Sequence, residues 1–176
     1  MNALNNFLFI ALPYIALFVF LIGSIYRYKS KKFTYSSLSS QFLETRKLYW
    51  GSLPFHWGIV FLFFGHLIAF AIPQSVLLWN QQPVRLAILE ITAFVFGIMT
   101  LAGLINLFYR RISNPRIRVV TNYMDIILEI LLLAQIFLGL WVAYGFRWGS
   151  SWFAIVLTPY LYSIFTLNPQ IDSIVM

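Results

Sequence analysis

Four long apolar runs dominate the chain. Residues 4–26, 51–72, 86–109 and 123–143 each approach or exceed the roughly 20 residues an α-helix needs to cross a hydrocarbon layer. The first run carries no Lys or Arg before Arg27 and lacks the basic start of a secretory signal, so it reads as a retained span. Pro13 inside it predicts a kink. Pro73 closes the second run, and Arg110 with Arg111 closes the third. The segment 152–167 is apolar but short, with Pro159 inside it and Pro169 after it, and reads as an interfacial or re-entrant helix. The expected architecture is all-α: a membrane helical bundle of four transmembrane helices plus a short interfacial helix, in one domain over 1–176.

Composition agrees. Of 176 residues, 61% are apolar and 10% charged, far from the roughly 45–50% and 25% of soluble domains. The net charge of +7 therefore reads as membrane topology rather than nucleic-acid binding. The loop 27–50 holds Arg27, Lys29, Lys31, Lys32, Arg46 and Lys47, and the loop 110–122 holds Arg110, Arg111, Arg116 and Arg118. The alternate side holds only Arg85 and Arg147. Positive residues collect on the cytoplasmic side, which puts the N-terminus outside. Trp50 then sits at the inner interface, and Trp79, Trp148 and Trp152 at the outer one. With no cysteine, the chain has no disulfide, thiolate zinc site, iron–sulfur cluster or c-type haem attachment of its own.

Both histidines, His56 and His66, lie in the second run. Intramembrane imidazoles need partners, and either backbone bonding or ligation supplies them. Two on one span, with none elsewhere, favour ligation; neutral imidazole holds haem iron without burying a net charge in the ligand. Ten residues separate them by roughly 15 Å along the axis and about 80° around it, so they cannot share one metal. Each is placed to hold one of two haems, His56 towards the cytoplasmic face and His66 in the outer half. Gly58, Gly65 and Ala69 form a small-residue stripe that suits close helix packing or a flat macrocycle equally. Trp57, Phe61, Phe63 and Phe64 read as lipid-facing or core filler. Glu90, Asp125 and Glu129 are intramembrane acids and functional candidates by default. Asn122 with Asp125 also forms a capping box for the fourth helix, and for Asp125 that structural role is preferred. Two roles stay open at Arg85: snorkelling to the interface, or hydrogen bonding a quinone oxygen.

The segments LIGSIYRY at 21–28, SSQ at 39–41, FHWGI and FGH at 55–59 and 64–66, RRISNPRIRVVT at 110–121 and DIILEILLLAQIFLGL at 125–140 carry a resemblance. In register over nearly the whole chain, they resemble the gamma subunit of membrane-bound respiratory nitrate reductases. The resemblance implies a quinol-oxidising cytochrome b subunit with two haem b groups in the cytoplasmic membrane of a bacterium or archaeon. Its partners there are a cytoplasmic iron–sulfur beta subunit and a molybdenum alpha subunit, which carries the nitrate chemistry. It implies that His56 helps hold the inner haem and His66 the outer one, with Gly65, His66 and Arg85 at the quinol site. Arg85 stands where the family usually has Lys. Quinol docked in the outer half would release its protons outside, and each electron moving inwards would store about 2.3 kcal/mol per 100 mV. The family takes the second histidine of each haem from a fifth span. This chain stops at Met176 with no such span, so a truncated copy or a lost helix is expected. A haem-free membrane anchor, or a non-productive fragment, is the competing reading. A small transporter is disfavoured, because the spans lack repeats and paired midplane breaks.

Overall fold

A computed structural model describes residues 3–30, 46–145 and 149–175, and among these no strand occurs. Lys31, Lys32, the 39–41 segment, Arg147 and Trp148 lie outside the described residues, as does the side chain of Arg46. The helices are α1 (Ala3–Ser30), α2 (Arg46–Ala71), α3 (Pro73–Asn80), α4 (Pro83–Ser113), α5 (Pro115–Arg118), α6 (Tyr123–Gly145), α7 (Ser150–Phe165) and α8 (Asp172–Val175). Four of them, α1, α2, α4 and α6, are long and apolar enough to cross a membrane. The chain is a multi-pass membrane protein by this measure.

The long helices overrun the expected spans. Pro73 does end α2 at Ala71, but it also opens α3, an element the apolar pattern did not predict. A proline suits the first helical turn, where its missing N–H has no intrahelical partner to lose. Pro83 starts α4 the same way, three residues before the apolar run begins. Arg110 and Arg111 do not stop α4. It runs on to Ser113, and Asn114 takes an extended conformation ahead of Pro115, which disfavours helix at the preceding residue.

Contacts divide the chain into two compact units. The first comprises Met1–Ser37 with Phe153–Met176, and its described part centres on Tyr160, Ile164 and Ile171. Phe9, Ile10, Tyr14 and Leu17 of α1 pack on that cluster. Pro13 disturbs α1 as expected. The turn before it, Phe7–Ala11, is π-helical, and Pro13 offers no N–H to the Phe9 carbonyl. The Tyr160 hydroxyl takes over, donating to that carbonyl at 2.7 Å, and the Tyr14 hydroxyl donates to the Ile164 carbonyl at 3.1 Å. Burial, and then the neighbouring Tyr14, hold the Tyr160 hydroxyl above its ordinary pKa.

α7 continues past Pro159 to a Schellman-type end, although the turn before that proline, Phe153–Leu157, is π-helical as it is before Pro13. The Asn168 N–H reaches the Ser163 carbonyl at 3.0 Å, and the Leu167 N–H reaches Ile164 at 3.1 Å. Leu167 closes that turn at φ 58°, a position that usually falls to glycine.

The second unit, Leu38–Trp152, holds α2 against α4 and α4 against α6. The α2–α4 seam is built from missing side chains. A Cβ on Gly103 would lie 2.6 Å from the Phe55 nitrogen and 2.8 Å from the Gly51 carbonyl. A Cβ on Gly58 would collide with the Thr100 hydroxyl, which is fully buried and donates to Phe96 at 2.7 Å. Phe61 stacks on Phe96 further along the same seam, with centroids 4.1 Å apart. Lipid tails are as apolar as the helices themselves, so close packing rather than water exclusion holds such a pair together.

Candidate haem-ligand face and the Arg85 corner

His56 and His66 both project from α2 as exposed side chains. Each ring bonds one turn back along its own helix. Nδ1 of His56 lies 2.7 Å from the Ser52 carbonyl oxygen, and Nδ1 of His66 lies 2.7 Å from the Leu62 carbonyl oxygen. A carbonyl oxygen accepts only, so both contacts assign the proton to Nδ1. In a neutral ring so bonded the lone pair is at Nε2, the tautomer suited to binding a metal through that nitrogen. This is where the residues fit a haem. Two imidazoles stand ten residues apart on one span, each held through Nδ1 by a backbone carbonyl.

The small-residue stripe separates into two jobs. Gly58 is filled against Thr100, and Ala69 is buried, so these are packing positions. A Cβ on Gly65 would meet nothing within 4 Å. Gly65 therefore leaves open space beside His66. Trp57, Phe63 and Phe64 are exposed, as filler on a lipid-facing surface should be.

Arg85 is not left to extend into solvent. Its guanidinium lies over the Trp79 ring, 5.4 Å from the centroid, and the Trp79 indole N–H donates to the Arg85 carbonyl at 3.2 Å. Trp79 also lines an apolar groove of about 210 Å³ together with Ile68, Ser75, Val76 and Leu89. Ile68 lies two residues beyond His66, and Leu89 lies one turn along α4 from Arg85. The groove itself is lined by neither histidine. Asn80 next to Trp79 donates to Ser150 and Ser151 at 3.1 and 3.0 Å, tying the end of α3 to the start of α7.

The acids resolve differently from expectation. Asp125 does cap α6, accepting from the Asn122 backbone N–H at 3.0 Å. Its role does not end there. The same Oδ2 lies 3.4 Å from Nη1 of Arg111, and Glu129 Oε1 accepts from Arg111 Nε at 2.8 Å. One guanidinium thus joins the C-terminal end of α4 to the first turns of α6. Sequence reading missed Arg111 as a partner; the four-residue spacing puts Asp125 and Glu129 on one face of α6 without saying what that face meets. Glu90 is half-buried on α4, beside Leu89 of the groove wall. Among the described residues no three His, Cys, Asp or Glu side chains cluster as a metal site.

The arrangement defines a class: a helical, multi-pass membrane protein presenting two tautomerically matched imidazoles on one span. The nitrate reductase gamma subunit family matches residues 5–176, and the chain belongs to that family. It is 37% identical over 138 residues to the respiratory nitrate reductase 2 gamma chain of Escherichia coli (strain K12), covering 78% of this chain and 61% of that one. The nitrate reductase gamma chain of Bacillus subtilis (strain 168) is 35% identical over 73% of this chain and 58% of its own length. The respiratory nitrate reductase 1 gamma chain of E. coli is 36% identical, over 80% and 63%. The chain spans about three fifths of the length of these relatives.

Proposed function

We propose that the chain is the quinol-oxidising haem b subunit of a respiratory nitrate reductase, and its membrane anchor. The observation that carries this reading is the matched pair of Nδ1 bonds, which prepares His56 and His66 as neutral Nε2 ligands. Haem bound at those two nitrogens would supply one-electron carriers at two depths of the membrane. Gly65 keeps space open beside His66. Arg85, held over the Trp79 ring, offers N–H donors beside an apolar groove that Trp79 lines and whose α2 wall starts two residues beyond His66. A quinol ring needs such a donor for its oxygen, and apolar walls for its tail. The excess of basic residues in the 27–50 and 110–122 loops supports a cytoplasmic side for these loops and an N-terminus outside. They would there face the iron–sulfur and molybdenum subunits of the complex.

The test is optical. Dithionite-reduced membranes carrying the chain with its partner subunits are expected to show b-type Soret and alpha bands. His66→Ala should remove the outer haem's share, and Arg85→Leu should lower quinol-dependent activity while leaving the spectrum in place. Co-purification with the iron–sulfur subunit, but without any b-type band, would reduce the chain to a haem-free anchor.

A further inference from the structure

Ser52 stands one turn before His56 and presents two oxygens to it. The carbonyl lies 2.7 Å from Nδ1 and the hydroxyl Oγ 3.0 Å from the same atom. The carbonyl fixes the proton on Nδ1, so the hydroxyl oxygen becomes a second acceptor of that one N–H. His66 makes the same backbone bond, but the residue in the equivalent position is Leu62. The two imidazoles therefore share a backbone tether, and at His56 the side chain of Ser52 adds an oxygen to it.

We propose that Ser52 is a positioning residue for His56. Its hydroxyl holds the imidazole against rotation about χ2 and draws the Nδ1 proton away from the ring. Partners of this kind orient a ligand histidine and raise its basicity. His56 is thereby a stronger electron donor than it would be with the backbone bond alone. This inference rests on the haem-ligand reading for its purpose, but not for its geometry.

The experiment has two arms. In the first, the full chain is prepared in detergent without haem, with ¹⁵N-labelled histidine, and two-bond proton–nitrogen correlations read the tautomer and Nδ1 shift of each ring. Both rings are expected as the Nδ1–H tautomer. Ser52→Ala should shift the His56 Nδ1 resonance and leave that of His66 in place. Ser52→Thr should restore it, and Leu62→Ser should move His66 towards the His56 position. An unmoved His56 resonance in Ser52→Ala, or an Nε2–H tautomer in the parent protein, overturns the proposal.

In the second arm, membranes containing the chain and its partner subunits are titrated optically. Ser52→Ala should weaken haem retention at the His56 position by about tenfold, raise that haem's midpoint potential and leave the other unchanged. Equal loss at both positions would mark a folding defect and count against the proposal. Absence of haem from the parent membranes would sink the ligand reading alone, because the first arm still decides whether Ser52 positions the ring.

Discussion

Gly103→Ala adds one methyl group at the closest backbone approach of the α2–α4 seam. The new carbon would stand 2.6 Å from the Phe55 nitrogen, 2.8 Å from the Gly51 carbonyl and 3.0 Å from the Phe55 Cα. Ordinary contact begins at 3.4 Å, so the closest approach is 0.8 Å too short. All three obstacles are backbone atoms of α2, and no side-chain rotation relieves them. The helices must separate, which strips contact from Thr100, Leu104 and the Phe61–Phe96 stack. Overpacking of this kind costs about 1–3 kcal/mol. Alanine also gains about 1 kcal/mol of helix propensity over glycine, which partly hides the loss.

Gly139→Ala is the control that removes this ambiguity. Gly139 sits in α6, and a Cβ there would meet nothing within 4 Å. It collects the propensity gain without the clash. The difference between the two variants is therefore the steric cost itself, about 1–3 kcal/mol or roughly 5- to 150-fold in the unfolding constant. Unfolding in mixed detergent–dodecyl sulfate micelles, followed by tryptophan fluorescence and circular dichroism, measures it. If Gly103→Ala proves as stable as Gly139→Ala, the seam is not closed at backbone contact and the packing argument fails.

Further outcomes follow from the polar contacts. Arg111→Leu should destabilise the α4–α6 pairing by about 1.5–3 kcal/mol, read in the same micelle assay, because it strands hydrogen-bonded carboxylates on α6; Arg111→Lys should recover only part, since a single ammonium cannot present the guanidinium fork. Tyr160→Phe should cost about 1 kcal/mol, because the Phe9 carbonyl loses the donor that substitutes for the proline nitrogen, and amide exchange around residues 9–14 should rise. Leu167→Gly should be neutral or stabilising by up to about 1 kcal/mol in thermal unfolding, since an exposed side chain is removed from a left-handed turn.

The four spans were legible because hydrocarbon thickness imposes one length on every crossing helix, and residue hydropathy records it directly. Their ends were less so. Proline was read as a stop at Pro73, whereas its fixed φ also starts helices, which hid α3 and the early start of α4. The histidines and the intramembrane acids stood out by type alone, because polar groups in an apolar run are few. Their partners did not stand out. Nothing in the order of residues says that Arg111 faces Glu129, or that the Arg85 guanidinium folds back over Trp79; those depend on how two helices are rotated about their axes. The small-residue stripe was ambiguous for the same reason. Gly58 and Gly65 share a face, yet one meets Thr100 and the other meets open space, a difference set by where α4 lies along α2.

That placement also explains how one helix serves two purposes. Gly51 and Gly58 are seven residues apart and point the same way, into α4, where the backbones touch. His56 precedes Gly58 by two residues, which at about 100° per residue carries its side chain to nearly the far side of the helix. Packing thus consumes the face without side chains and leaves the face with His56 outward. A substitution that opens the seam acts on stability through α4, whereas one at Ser52 acts on the imidazole within a single turn of α2. The two should be separable in measurement: Gly103→Ala is expected to lower the unfolding midpoint with the His56 resonance unmoved, and Ser52→Ala to move that resonance at constant stability. If either variant produced both effects together, the two faces of α2 would be coupled, and the division of labour argued from their angular separation would be wrong.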